Sequence, residues 1–273
     1  MNVSEDIYNR LVRGRFGCLL LAAVTWCGGF VAFVLIARAL SGTMNPAAAF
    51  VSSILCMGVA VFSIAILTKG WFHFQEAVGL FAFGVVVNLV VYNVLSGVAA
   101  QLVLGFSLIA AGCGMGALLA RMVESPRYIV PMCVVAALAD TWSVIAGPTK
   151  RIIEGPPGIV LNHAFVGVPV TADASEIQHV AGVADLVFVA LFLCLALRLG
   201  LSVRRAVVGI LIGLAAGLTA ACAVGGVPGL PFLGGGFVLA HWRSVRPGRD
   251  EMIKTSIFIA FMLAVFAVLA AIR

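Results

Sequence analysis

The sequence predicts an all-α protein, a polytopic membrane bundle of about nine transmembrane helices. Of its 273 residues, 63% are hydrophobic and only 10% are charged, against about 45–50% and about 25% in soluble domains. A chain of 28.4 kDa cannot hide that much apolar surface from water in its own interior, so lipid must be its solvent. The hydrophobic residues also fall in runs of about 20, the length that crosses a bilayer.

The apolar runs define nine predicted spans. They cover residues 17–37, 46–68, 77–96, 98–120, 128–147, 180–198, 204–224, 228–242 and 254–272. The eighth is short and rich in glycine at Gly234, Gly235 and Gly236, which predicts a half-helix or a broken helix. Because no small-residue cleavage site follows the first run, we expect that run to be retained as a helix and not removed as a signal peptide.

The basic residues orient these spans. With the N-terminus inside, only four of the 17 Lys and Arg residues fall on the outer side, namely Arg38, Lys150, Arg151 and Arg273. This bias is the positive-inside pattern of membrane proteins. The sequence therefore predicts a multi-pass integral membrane protein with a cytoplasmic N-terminus and residues 148–179 on the outer side.

Three regions follow from this arrangement. Residues 1–127 are predicted to form an N-terminal four-helix membrane bundle, residues 128–242 a catalytic-type membrane region, and residues 243–273 a C-terminal transmembrane helix. The outer linker, 148–179, is rich in proline and glycine. Its central apolar piece, Ile159 to Val170, is predicted to be a strand or an interfacial segment.

Two helices carry glycines at four-residue spacing. These residues are Gly112 and Gly116 on the fourth span and Gly209, Gly213 and Gly217 on the seventh. Small residues at i and i+4 let another helix backbone approach closely. The pattern predicts close helix packing within the chain or, alternatively, an oligomer formed through these faces.

Only two acidic residues lie inside apolar spans, Asp140 and Asp185. A carboxylate in hydrocarbon costs roughly 2.5–3.5 kcal/mol, so each needs an explanation. Asp140 lies late on an outward-running span and Asp185 early on the next, inward-running span, which places both in the outer half of the membrane. Three explanations remain open: hydrogen bonds between helices, an ion or proton relay, and a pair that performs acid–base chemistry.

The acid–base interpretation follows from the matched depth. Two carboxyl groups that share one site do not both ionise readily, so the pair keeps a proton. One ionised and one protonated carboxyl group are the general base and general acid of an aspartic protease. Such a pair activates water without a metal or a nucleophilic side chain.

A third element reaches the same depth at the start of the eighth span. Pro228 and Pro231 bracket Gly229 and Leu230, and proline prevents regular helical hydrogen bonding. We therefore expect backbone amides and carbonyls here to remain free beside the carboxyl pair. An extended substrate could bind to them as an added strand.

These three motifs resemble the GxGD intramembrane aspartyl proteases, the family of presenilins and signal peptide peptidases with their microbial relatives. The matching pieces are Leu138 to Val144 around Asp140, Gly182-Val183-Ala184-Asp185, and Pro228-Gly229-Leu230-Pro231. The resemblance covers about residues 128–242. This chain has Ala139 where the family usually has tyrosine, Ala184 in place of the second glycine of GxGD, and Gly229 in place of the alanine of the PAL motif.

The resemblance implies a presenilin-like fold and an endopeptidase that cleaves transmembrane or signal-peptide-like helices, preferably those with an inner N-terminus. It implies Asp140 and Asp185 as catalytic residues and no cofactor. Because the histidines lack metal-ligand spacing and the net positive charge follows from membrane topology, we expect neither a metal site nor a nucleic-acid partner. The implied substrate-binding residues are Gly182, Ala184, Pro228, Gly229, Leu230 and Pro231. The alternative is a non-proteolytic relative that serves as a membrane scaffold subunit or a carboxylate-relay transporter.

Overall fold

The computed structural model describes residues 3–40, 46–69, 73–145, 147, 165–169, 177–224 and 227–271. Over these ranges the chain is all-α apart from one two-stranded antiparallel sheet. The described residues form nine helices: α1 (Val3–Leu40), α2 (Pro46–Leu67), α3 (Phe74–Val94), α4 (Gly97–Ala120), α5 (Ile129–Ile145), α6 (Val183–Arg198), α7 (Val203–Val224), α8 (Leu230–Val245) and α9 (Arg249–Ala271). Each predicted span thus contains a helix.

Within the part of the chain that the structure describes, five segments are long and apolar enough to cross a membrane, as expected of a multi-pass membrane protein. They are Phe16–Leu35 within α1, α3, α4, Pro126–Ile145 and Val203–Ala223. The segment that contains α5 begins with a 3-10 turn, Pro126–Tyr128. In contrast, α6 and α8 have only 16 residues each.

Helix α4 lies at the centre of the bundle, where it packs against α3 on one side and α6 on another. The indole of Trp26 on α1 is fully buried, and its Nε1 donates a hydrogen bond to the carbonyl oxygen of Leu102 at 2.9 Å. A single apolar core includes Trp26, Leu186 and Phe237. The core therefore continues across residue 127, where the sequence suggested a division between two regions.

The spaced glycines pack against helices of the same chain. A side chain at Gly116 would place its Cβ 2.6 Å from the Cβ of Ala190, so α4 and α6 approach closely there. A side chain at Gly209 would collide with the carbonyl oxygen of Gly236, and one at Gly213 would collide with that of Phe232. Both glycine faces are thus used for close packing inside the bundle, α4 on α6 and α7 on α8.

The eighth span does not break at its glycines. Residues 234–236 are helical, because Gly236 fits against the backbone of α7. The irregular residue is His241, with φ −123° and ψ 16°. Its Nδ1 lies 3.2 Å from the carbonyl oxygen of Phe237 and its Nε2 lies 3.1 Å from that of Ser202, so the ring fills the kink and contacts the α6–α7 loop.

Between α5 and α6, the described residues form a β-hairpin of β1 (Phe165–Pro169) and β2 (Ile177–Gly182). Strand β1 lies inside the apolar piece Ile159 to Val170, whose other residues lie outside the described ranges. Residues 180–182, predicted as the start of a span, belong instead to β2. Gly182 pairs with Phe165 and Ala181 with Val166 of β1, and α6 begins only at Val183.

Candidate active site

Asp140 lies on the penultimate turn of α5, and its carboxylate is held by a helix 90 residues further along the chain. Its Oδ2 accepts a hydrogen bond from the backbone N–H of Leu230 at 2.9 Å. Leu230 is the first residue of α8, and the first amides of a helix have no partner within that helix. The carboxylate of Asp140 therefore satisfies an amide at the N-terminus of α8 and ties α5 to it.

Asp185 is the third residue of α6, directly after the hairpin. Its Oδ2 accepts a hydrogen bond from the backbone N–H of Gly182 at 3.1 Å. The N-terminus of a helix carries a partial positive charge, which favours a carboxylate in the first turn. The hairpin, the helix start and this hydrogen bond together fix the orientation of the side chain.

Asp140 and Asp185 meet at one short backbone segment. If Gly229 had a side chain, its Cβ would lie 2.8 Å from Oδ1 of Asp185, closer than real Cβ contacts. The next residue, Leu230, holds Asp140. The two carboxyl groups thus lie against adjacent residues, and α8 brings the third sequence motif to the first two.

The remaining residues of the predicted site lie around the junction where Asp140 and Asp185 meet Gly229 and Leu230. They differ in their contacts and in their exposure. Gly182 holds Asp185 through its N–H, and a Cβ there would make an ordinary contact of 3.5 Å with the ring of Phe165. Ala184 is exposed. Pro228 and Pro231 are half-buried on either side of the junction. A methyl group at position 184 is therefore accommodated without close helix packing.

One expectation about the backbone here was wrong. The amide of Leu230 is engaged by Asp140, and the carbonyl oxygen of Gly229 accepts a hydrogen bond from the N–H of Leu233 at 3.1 Å. Proline at the start of a helix is compatible with a regular first turn, so α8 begins here directly. The amide of Leu230 thus binds Asp140 and the carbonyl of Gly229 belongs to the first turn of α8, so neither group is available to an added strand.

The sequence did not identify the contact that supports α5 beside the pair. The ring of Trp142, two residues after Asp140, stacks on Phe266 of α9 with centroids 4.7 Å apart and planes 1° from parallel. Phe266 stands within a long apolar run, where neither its spacing nor its chemistry distinguishes it from its neighbours.

Comparison with protein-family models, curated proteins and solved structures finds no match to this chain.

Proposed function

We propose that this chain is an intramembrane aspartyl protease that cleaves transmembrane helical segments. The observation that carries the proposal is the meeting of Asp140 and Asp185 at Gly229 and Leu230. These two carboxylates need an explanation because they lie within apolar runs of the sequence. The backbone that both of them contact belongs to the motif that resembles PAL. The three motifs that resemble the GxGD family contain the two aspartates and the backbone residues that they contact, which supports the proposal.

The reaction needs one carboxyl group in each protonation state. The ionised member removes a proton from a water molecule, whose oxygen attacks the carbon of the peptide carbonyl. The protonated member donates to the carbonyl oxygen, which gives a tetrahedral gem-diol. As the C–N bond breaks, the proton taken from water passes to the leaving nitrogen, and the carboxylate that had donated its proton takes one back from a hydroxyl of the intermediate. Asp140 and Asp185 supply both groups, so the step requires no side-chain nucleophile.

The short helices α6 and α8 support a recessed site with access to water. Each has 16 residues, or about 24 Å at 1.5 Å per residue, less than the roughly 30 Å of hydrocarbon. Asp185 and Gly229 lie where these helices begin, so the pair would sit several ångströms below the membrane surface. The positive-inside bias makes that surface the outer one and places the N-terminus inside.

The substrate must lose its own hydrogen bonds before it can be cleaved. The peptide bonds of a membrane helix are shielded because every amide is paired within the helix. We propose that a helix with an inner N-terminus unwinds locally at this recess, and that Pro228 and Pro231 border the unwound stretch. Gly182 and Ala184 lie on the opposite border, at the start of α6.

A carboxylate relay would need further polar groups between the pair and the inner surface. The amide of Asn88, a polar group within the third predicted span, donates from Nδ2 to Oγ of Ser107 at 3.2 Å. This bond joins α3 to α4 within the bundle and gives Asn88 a structural role. The observation favours the protease over the relay.

The experiment is cleavage of a panel of helical substrates by purified protein in defined lipid. We expect products from the wild type and from Asp250→Ala, an exposed carboxylate at the start of α9. Asp140→Ala and Asp185→Ala should each lower the rate by at least about a hundredfold, because acid–base catalysis contributes about 10²–10⁴-fold. Activity that survived both substitutions would exclude the proposal, and proton flux across vesicles without cleavage would favour the relay.

A further inference from the structure

A groove of about 650 Å³ runs between α7 and α8, away from the aspartate pair. Its wall is apolar and open to the surroundings, since Ile212 is 63% exposed and Leu239 is 76% exposed. Val208, one turn before Ile212, continues the same face of α7. Helix α7 is one of the helices that can span a membrane, so this wall is suited to a hydrocarbon chain.

Glycines explain why the groove is accessible. Gly209 and Gly236 lie at its floor, where the backbones of the two helices approach so closely that neither position could hold a side chain. Larger residues at these positions would separate the helices and fill the channel between them. The glycine face of α7 thus packs α8 and shapes the groove at the same time.

One end of the groove is strongly basic. Arg204 and Arg205 lie in the first turn of α7 and are both exposed, and Ser202 beside them accepts a hydrogen bond from the N–H of Arg205 at 3.4 Å. The α6–α7 and α8–α9 connections meet at this end, because His241 of α8 contacts the carbonyl of Ser202. In these two connections and the helix ends beside them, the chain carries seven basic residues against two acidic ones: Arg198, Arg204, Arg205, Arg243, Arg246, Arg249 and Lys254 against Asp250 and Glu251.

We propose that this groove binds an anionic glycerophospholipid. Its phosphate would lie between the guanidinium groups of Arg204 and Arg205, which bind phosphate oxygens through paired N–H groups. From Arg205, one acyl chain would run along Val208 and Ile212, a rise of about 10 Å at 1.5 Å per residue. A free phosphate would use only the basic end, whereas a lipid matches both the charge and the apolar wall.

The position of the groove agrees with the charge pattern of membranes. Basic pockets between transmembrane helices on the cytoplasmic side bind acidic lipid headgroups. The same basic residues place this end of α7 on the inner side in the topology proposed above. The lipid would hold α7 against α8, whose first residues position the aspartate pair.

The test is binding of phosphatidylglycerol and phosphatidylcholine to the purified full chain, measured by native mass spectrometry. The double variant Arg204→Gln/Arg205→Gln is compared with Arg243→Gln/Arg246→Gln, which removes the same charge at the same end from exposed residues outside the groove. We expect the first pair to weaken phosphatidylglycerol binding about thirtyfold, from roughly fivefold per arginine. The control pair should change it less than about threefold, and phosphatidylcholine should bind weakly to all three proteins.

A second variant tests the apolar wall and keeps both arginines. Ile212→Trp fills the groove from an exposed position and should also weaken phosphatidylglycerol binding, with circular dichroism checking that the helices remain. Inorganic phosphate should not compete at equal concentration, because it lacks the chain. Equal losses in the two arginine pairs, equal binding of both lipids, unchanged binding by Ile212→Trp, or full competition by phosphate would each overturn the proposal.

Discussion

The backbone N–H of Leu230 donates a hydrogen bond of 2.9 Å to the carboxylate of Asp140, 90 residues earlier in the chain. Leu230 begins α8, so one bond fixes both the carboxylate and the start of that helix. Its neighbour Gly229 lies against Asp185. The geometry of the pair therefore depends on where α8 begins, and changes at this helix start should act on activity more strongly than changes along its length.

Gly229→Ala should impair the pair although it introduces the residue that the PAL motif carries. The new methyl group would lie 2.8 Å from Oδ1 of Asp185, whose other oxygen is held by Gly182, so the carboxyl group must move. A displacement of about 1 Å in a catalytic group costs up to about a hundredfold in rate. We expect a fall in cleavage rate of at least about tenfold, measured with the best substrate of the panel.

Gly235→Ala is the matched control for this change. It lies on the same helix, and within the described part of the chain no atom outside its own helix turn comes within 4 Å of the position of its Cβ. Its rate should stay within about twofold of the wild type, since alanine is a better helix former than glycine. Equal rates for the two alanine variants would mean that Asp185 is not confined by residue 229.

Arg198 should contribute to stability by joining the ends of two helices. Its Nη1 donates to the carbonyl oxygen of Ala120 at 2.6 Å and to that of Val123 at 3.1 Å, which satisfies the last carbonyl of α4 and one in the turn that follows it. Arg198→Ala should lower the free energy of unfolding by about 1 kcal/mol, as measured by denaturant titration in detergent. Arg249→Ala, at an exposed residue that begins α9, serves as the control, and an equal loss there would argue against this role.

The stack of Trp142 on Phe266 should couple α9 to the site. Phe266→Ala removes an aromatic pair worth about 0.5–1.5 kcal/mol and frees the turn of α5 that carries Asp140. We expect a lower melting temperature together with a slower cleavage rate. Phe261→Ala on the same helix, at a side chain that is 61% exposed, should leave the rate unchanged. If both variants had the same rate, α9 would have no positioning role.

The sequence predicted the helices and singled out the two carboxylates because both follow from local properties. A run of apolar residues needs a helix in lipid, and a lone Asp140 or Asp185 within such a run is conspicuous whatever lies around it. The hairpin was only partly predicted, since the pairing of Phe165 with Gly182 depends on a partner strand that no local pattern specifies.

Tertiary contacts explain the other differences. The glycine stretch of α8 stays helical where Gly236 packs on the backbone of α7, and the kink falls at His241, whose ring reaches the carbonyl of Ser202. Likewise, the free amides expected near Pro228 are absent at Leu230 because Asp140 occupies that N–H. In each case a partner far along the chain decided the local structure, and such a partner leaves no periodic signal.

The central claim is that Asp140 and Asp185 act as one acid–base unit, and the pH dependence of proteolysis tests it most directly. Two interacting carboxyl groups titrate as a pair, and only the singly protonated form contains both the base and the acid. Cleavage of one helical substrate, followed from about pH 4 to about pH 9 in defined lipid, should therefore give a bell-shaped rate profile. A rate that rose steadily to the highest pH would show that no protonated acid is needed, and it would contradict the paired-aspartate mechanism.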